Sequence, residues 1–373
     1  MKPNGSILAL AHQIGSGRAI APVIRALRSR GHNVVVAASG QAVEAFERDH
    51  IAFSVVDLAP ESMPKAAAEM IGNVPPAAIL TGTSTGVTFE KVVIEIAKRR
   101  GIQTISVLDH WSNYLARFEG PSGIDHYFPG CLAVMDETAR RDLVAIGYAD
   151  DAIALTGQPA FDGILTLIRK DRAAIREQFG VHDDERLVVF ASEPQRRDHG
   201  DSLGYDETDA LRMLLDSIAD LPDPKPRVLI KPHPTESTDA LATVAAAYIP
   251  RPTIIGDVDR WELALAADVV VGMTSLILIE SALLGTPAIS VQPDLPGADA
   301  FVGNRLGVVD SANTREACER SLSRFLGAHS RPTIAAAARR VLGVDGDAAA
   351  RVSDLIEKLM RRDALRVVQS QVF

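Results

Sequence analysis

Apolar residues in this chain follow two alternating patterns. Short unbroken runs, such as Ile7-Leu8-Ala9-Leu10-Ala11 and Val34-Val35-Val36-Ala37-Ala38, are separated by longer stretches with apolar positions every three to four residues. An unbroken run predicts a parallel strand covered on both faces, and the longer spacing predicts the helices that cover it. In the first part the expected strands are 6–11, 33–38, 51–56, 77–81, 102–108, 131–135 and 152–156, with helices at 19–30, 41–49, 88–100 and 137–146. Gly157-Gln158-Pro159 then reads as a hinge. The pattern restarts with strands 186–191, 228–231, 253–255, 268–271 and 288–291. Their helices are 163–179, 207–219, 237–247, 260–266, 276–284, 315–326 and 349–361. The predicted fold class is α/β: two tandem doubly wound, Rossmann-like domains, 1–158 and 159–373, the last helix free to cross back to the first. Such sheets bind ligands beyond the carboxyl ends of their strands. Residues just after strands, on either side of an interdomain cleft, are therefore the candidates for chemistry.

Composition narrows the classes. With 373 residues, 47% hydrophobic and 23% charged, the chain can bury two ordinary cores. A net charge of -9 without a basic tract argues against a nucleic-acid partner. Cys131 and Cys318 lie in no CxxC or Cys/His cluster, so neither a disulfide framework nor a zinc site is expected. A reducing cytosol is the default. Residues 1–10 lack a signal peptide's apolar core and cleavage site. No apolar run reaches the ~18–20 residues of a membrane span.

The densest chemistry lies between Arg227 and Val291. A strand ends in Lys231-Pro232-His233-Pro234, and the flanking prolines fix the backbone around the imidazole. A second strand ends in Gly272-Met273-Thr274-Ser275, just before a helix whose first N–H groups and positive dipole end suit an anion. An ordinary Thr/Ser helix cap is the plain alternative. Glu280 stands in the otherwise apolar LILIESALLG, where a ribose diol or a neighbouring Arg would partner it. Glu193, in the charged stretch Ser192-Glu193-Pro194-Gln195-Arg196-Arg197, is a further candidate for donor contact or a solvated loop.

These segments, with the tandem architecture, resemble the nucleotide-binding domain of GT-B-fold glycosyltransferases. They resemble in particular the bacterial surface-polysaccharide transferases with an HP motif and a downstream Ser/Thr pair: polysialyltransferase-like, capsule Kdo-transferase-like and CDP-glycerol glycerophosphotransferase-like proteins. The resemblance implies that His233, Thr274 and Ser275 hold donor phosphates, with Lys231 adding charge, and that Glu280 takes the ribose. It implies a nucleotide-sugar as substrate with no resident cofactor, a glycan or lipid-linked acceptor, and a cytoplasmic protein, with peripheral contact to the inner membrane face left open. The paired-acid-glycine motif of the sialyltransferase branch is absent, which argues against a CMP-sugar donor. No DxD-type acid pair stands at a strand end, so leaving-group stabilisation is expected from the helix start and His233 rather than a metal.

In the first half, Gly15-Ser16-Gly17-Arg18 follows strand one. A dinucleotide fingerprint would need a third glycine where Ile20 stands. The better reading is a turn that brings backbone N–H groups of Gly15 and Gly17 toward the transferred sugar, with His12 beside it as a candidate base. Asp109-His110-Trp111-Ser112-Asn113-Tyr114, with Arg117, is the densest polar and aromatic cluster in a chain only 5% aromatic. Trp111, Asn113, Tyr114 and Arg117 are candidates for sugar contact, and Asp109 or His110 for deprotonating an acceptor hydroxyl. A buried loop tie is the alternative. Gly82-Thr83-Ser84-Thr85-Gly86 matches the GxSxG nucleophile elbow, which keeps a hydrolase as a rival.

The favoured reading is metal-independent transfer from a nucleotide-sugar to an acceptor hydroxyl in bacterial polysaccharide or glycoconjugate assembly. A sugar-nucleotide 2-epimerase or hydrolase on the same fold is the second. Epimerases carry a Ser-Gly-Gly turn followed by paired glutamates, where this chain has Thr274-Ser275-Leu276 and the single Glu280. A noncatalytic nucleotide-binding partner of a polysaccharide complex is the third.

Overall fold

A computed structural model describes residues 5–72, 75–256, 258–327 and 330–370. The chain divides into two compact units, one built from 1–162 and 342–373, the other from 163–341.

The first unit carries seven strands: β1 (Ile7–Ala11), β2 (Val34–Ala38), β3 (Ser54–Val55), β4 (Ala78–Thr81), β5 (Thr104–Val107), β6 (Cys131–Val134) and β7 (Ile153–Leu155). All pair in parallel in the order β3-β2-β1-β4-β5-β6-β7. The strand order reverses between β1 and β4, the place where doubly wound sheets open a crevice. One core, on the face of helix Ile14–Ser29, gathers Ile7, Ala9, Ile20, Ile24 and Phe46 with Val352, Ile356 and Met360 of the long helix Ala348–Ser370. The other face packs Leu8, Leu10 and Ile79 against Phe89 and Val93.

The second unit has β8 (Leu187–Ala191), β9 (Arg227–Lys231), β10 (Thr253–Ile254), β11 (Val269–Gly272), β12 (Ala288–Val291) and β13 (Asp310–Ala312), parallel in the order β10-β9-β8-β11-β12-β13. Helix Glu207–Ala219 begins at a capping box closed by Asp206 and Asp209. Helix Leu276–Leu284 ends at Gly285, whose φ of 85° is a left-handed C-cap.

Some elements depart from the periodicity. The expected helix 163–179 is split into Ile164–Leu167 and Arg172–Gln178, because Asp171 caps the Ala173 N–H and starts a new helix. β13 has no apolar run to announce it and pairs only with β12 at the sheet edge. Gly15 and Gly17 do not form a turn: they lie in the first turn of helix Ile14–Ser29. They are needed there for closeness. A Cβ on Gly15 would sit 2.2 Å from Asp109 Oδ2, and one on Gly17 would sit 2.9 Å from the Ala45 Cβ.

Candidate functional site

In the second unit, register aligns three strand ends. Ala191 of β8 is opposite Lys231 of β9 on one side and Gly272 of β11 on the other. Two residues beyond each lie Glu193, His233 and Thr274. Imidazole and helix start therefore flank Glu193 at one level, about two strand spacings or ~10 Å apart.

The start of helix Leu276–Leu284 is not capped by its own hydroxyls. Ser275 occupies the N-cap position and its side chain makes no cap bond. The cap comes from Glu193. Its Oε2 accepts the Thr274 N–H at 2.8 Å, and its Oε1 accepts the Thr274 hydroxyl at 3.3 Å. Gln195 Nε2 in turn donates to Thr274 Oγ1 at 3.2 Å. Glu193 keeps a partly accessible edge, yet protein surrounds it closely enough for desolvation to raise its pKa to about 7 against the pull of the Thr274 and Ser275 donors.

His233 is partly exposed and its loop is pinned. Glu236 Oε2 accepts the His233 N–H at 2.9 Å, and Glu236 Oε1 accepts from the Ser192 hydroxyl at 2.7 Å. The ring Nδ1 lies 2.9 Å from Thr235 Oγ1. Lys231, partly buried, reaches the carbonyl of Pro232 at 3.4 Å. His233 and the Thr274-Ser275 pair thus follow the two strands that flank the strand leading to Glu193.

Glu280 stands apart from this group. Its carboxylate is 1% exposed and receives two bonds from the Arg260 guanidinium, each 2.6 Å. The structure supplies the neighbouring Arg rather than an open edge facing a diol.

In the first unit, the loops after β1, β4 and β5 meet where the strand order reverses. Asp109 Oδ1 accepts from Arg117 at 2.6 Å and from the Thr83 hydroxyl at 2.8 Å. Arg117 is 6% exposed and also donates to the Thr83 and Ser112 carbonyls. This is the buried loop tie, so Arg117 is correctly described as a strut rather than a sugar contact. Trp111 and Tyr114 are likewise interior, at 4% and 7% exposure. The Trp111 indole donates to Asp136 at 2.7 Å and its ring packs on Phe161, which leaves no face for a sugar. Asn113 is exposed and adopts a left-handed φ of 58°.

His110 is held through Nδ1, 2.8 Å from Ser112 Oγ, and desolvation lowers its pKa to about 4, so it is neutral. His12, tied to Ser39 Oγ at 2.9 Å, is also lowered by burial. Ser84 fits no nucleophile elbow: it is fully buried and its Oγ accepts the Gln13 N–H. Beneath it lies Glu90, which sequence reading passed over. This carboxylate is 2% exposed, takes one bond from Ser16 at 3.3 Å, and has its pKa raised to about 7, chiefly by desolvation.

Comparison with known proteins agrees with this architecture. Residues 139–302 match the family described as CDP-Glycerol:Poly(glycerophosphate) glycerophosphotransferase. Among solved structures, a putative UDP-N-acetylglucosamine 2-epimerase from Listeria monocytogenes aligns with TM-score 0.70 and 17% identity over 96% of this chain and 97% of that one. The Methanocaldococcus jannaschii UDP-GlcNAc 2-epimerase, in complex with UDP-GlcNAc and UDP, aligns with TM-score 0.66 and 14% identity over 94% and 99%. The wall teichoic acid polymerase TagF aligns with TM-score 0.60 and 13% identity over 96% and 90%. The chain has the GT-B fold. No curated protein matches it. At these identities the solved structures fix the GT-B fold and not the substrate. The matched family segment contains Glu193, His233, Thr274 and Ser275. No helix among the described residues is long and apolar enough to cross a membrane.

Proposed function

We propose that the protein transfers a group from a nucleotide-diphosphate donor to an acceptor hydroxyl, as glycosyl- and glycerophosphotransferases do. The observation that carries this reading is the alignment of His233, Glu193 and Thr274 on three neighbouring strand ends. A carboxylate already rests on the helix start, so the position accepts an anion. A diphosphate spanning ~10 Å of strand ends would meet the helix N–H groups with one phosphate and His233 with the other. As the donor bond breaks, negative charge grows on the departing nucleotide, and these donors stabilise it.

The acceptor-side base is best assigned to His110. Asp109 Oδ1 is already occupied by Arg117 and the Thr83 hydroxyl. Burial leaves the His110 ring neutral but weakly basic, with a pKa of about 4, so it can take a proton only where the site supports the charge that forms. Asp109 beside it favours the imidazolium that forms when the acceptor proton arrives. Glu280 serves the donor domain through Arg260, which it fixes in place.

The family match and the UDP complex of a fold neighbour motivate CDP-glycerol and UDP-N-acetylglucosamine as first donors to try. The test is to incubate the protein with these and with CMP- and GDP-sugars, with and without an acceptor extract. Nucleotide release that requires acceptor supports transfer. An altered sugar still joined to its nucleotide supports epimerisation instead, the reading that the epimerase-like fold keeps in play.

A further inference from the structure

The donor seat already contains an anion, and that anion belongs to the chain. The Thr274 N–H and hydroxyl that would bind a phosphate are engaged by Glu193. A phosphate and a carboxylate cannot share those donors while both are charged, because like charges at this range repel and neither gains the N–H groups in full.

The surroundings decide which anion gives way. No salt bridge reaches Glu193 among the described residues. Its partners are the Thr274 and Ser275 backbone N–H groups and the Thr274 hydroxyl, neutral donors whose pull toward the charged form is outweighed by desolvation. Glu236, on the loop after β9, faces it and disfavours its charge. Tyr205, ahead of helix Glu207–Ala219, holds its proton firmly, chiefly through burial and then through the nearby charges of Glu193 and Asp299. Lys231 and His233 stand at the end of β9. The nearby guanidiniums are engaged elsewhere: Arg196 pairs with Asp206, and Arg197 with Asp198 and Thr235. Glu193 is thus a charged group held only by neutral donors beside a second carboxylate, and burial has already brought it to the edge of protonation.

We propose that Glu193 occupies the phosphate seat of the nucleotide-free enzyme and takes up one proton from solvent when a nucleotide diphosphate displaces it. This deepens the donor-site reading above and rests on it. The balance is simple: the carboxylate gains a proton, no bond in the nucleotide changes, and the neutral carboxyl then donates its O–H to the phosphate it has admitted. The seat therefore prefers a ligand with a full negative charge, and it releases that ligand as pH rises past neutrality.

The experiment is calorimetric titration of the full chain with UDP-N-acetylglucosamine and with CDP-glycerol. Their phosphates are diesters with no proton to exchange near neutrality. Titrations at about pH 8, in buffers of different ionisation enthalpy, count the protons taken up. The expected result is uptake approaching one proton, and affinity that weakens by up to about tenfold per pH unit above about 7. In Glu193→Gln, which keeps an acceptor for Thr274, both effects disappear. Binding without proton uptake overturns the proposal and leaves the donor site standing. Uptake that persists in Glu193→Gln and vanishes in His233→Asn overturns it too, since the histidine would then be the group that titrates. Absence of nucleotide binding at any pH overturns the donor site and the proposal together. If the Gln variant fails to fold, His233→Asn decides: proton uptake that persists there supports Glu193, and uptake that vanishes there overturns the proposal.

Discussion

The Thr274 backbone N–H donates to Glu193 Oε2 at 2.8 Å across the boundary between two strand ends. The cap of helix Leu276–Leu284 is therefore not local. It comes from a loop far upstream, while Ser275, placed where a capping side chain belongs, makes no such bond. A helix start engaged by a carboxylate from another loop differs from one capped by its own serine, because a ligand can replace the first without breaking the turn.

The pair Arg260–Glu280 is the first test. Glu280 is 1% exposed, and its partner's side chain is 20% exposed. Removing Arg260 strands a buried carboxylate, so Arg260→Ala is expected to cost about 3–5 kcal/mol in urea unfolding. Arg260→Met with Glu280→Met should recover most of that loss. If Glu280 instead exists to grip a ribose, Glu280→Gln will spare stability and abolish nucleotide binding.

Glu90 makes a prediction about pH. In the unfolded chain it ionises from 4.5, whereas in the fold it keeps its proton to about 7. The unfolded chain gives up its proton first. Stability should therefore fall as pH rises through that window and level off above it. Glu90→Gln should be more stable than the parent at about pH 8 and show a shallower fall, since Glu193 contributes with the same sign. Chemical denaturation at several pH values checks this, and an unchanged slope would contradict it.

Trp111 separates a structural from a sugar-binding aromatic. Trp111→Phe leaves Asp136 Oδ2 without its indole donor. A loss of about 1–3 kcal/mol in stability is expected. Affinity for nucleotide and acceptor should be unchanged once folded protein is selected. A specific rise in acceptor KM with unchanged stability would restore the ring to a sugar platform.

His110 carries the catalytic assignment on the acceptor side. His110→Asn should lower kcat by about 10²–10⁴-fold while nucleotide affinity stays at the parent value. The equivalent change at His12 should be milder. The opposite ranking would move the base to His12.

The sheets were legible because their strands are unbroken Val, Ile, Leu and Ala runs, as in Val188-Val189-Phe190-Ala191 and Val269-Val270-Val271. β13 was not, since Asp310-Ser311-Ala312 is held by edge pairing and not by its own composition. His233, Thr274 and Ser275 could be found from their place after strands. Their relation to Glu193 could not, because it depends on which strands are neighbours: β8 lies between β9 and β11 although it precedes both in the chain. Gly15 misled for a similar reason. Its meaning is the closeness of Asp109, a residue from another strand end, and local spacing cannot show that. Trp111 and Arg117 look like ligand contacts by residue type, and only burial reveals them as struts.

The most direct test of the account is nucleotide-dependent thermal stabilisation of the parent protein and His233→Ala. Saturating CDP-glycerol or UDP-N-acetylglucosamine should raise the Tm of the parent, and the rise should be lost in the variant although its Tm without ligand is unchanged. An equal rise in both proteins would place the diphosphate elsewhere and contradict the assignment of His233, Thr274 and Ser275 to the donor.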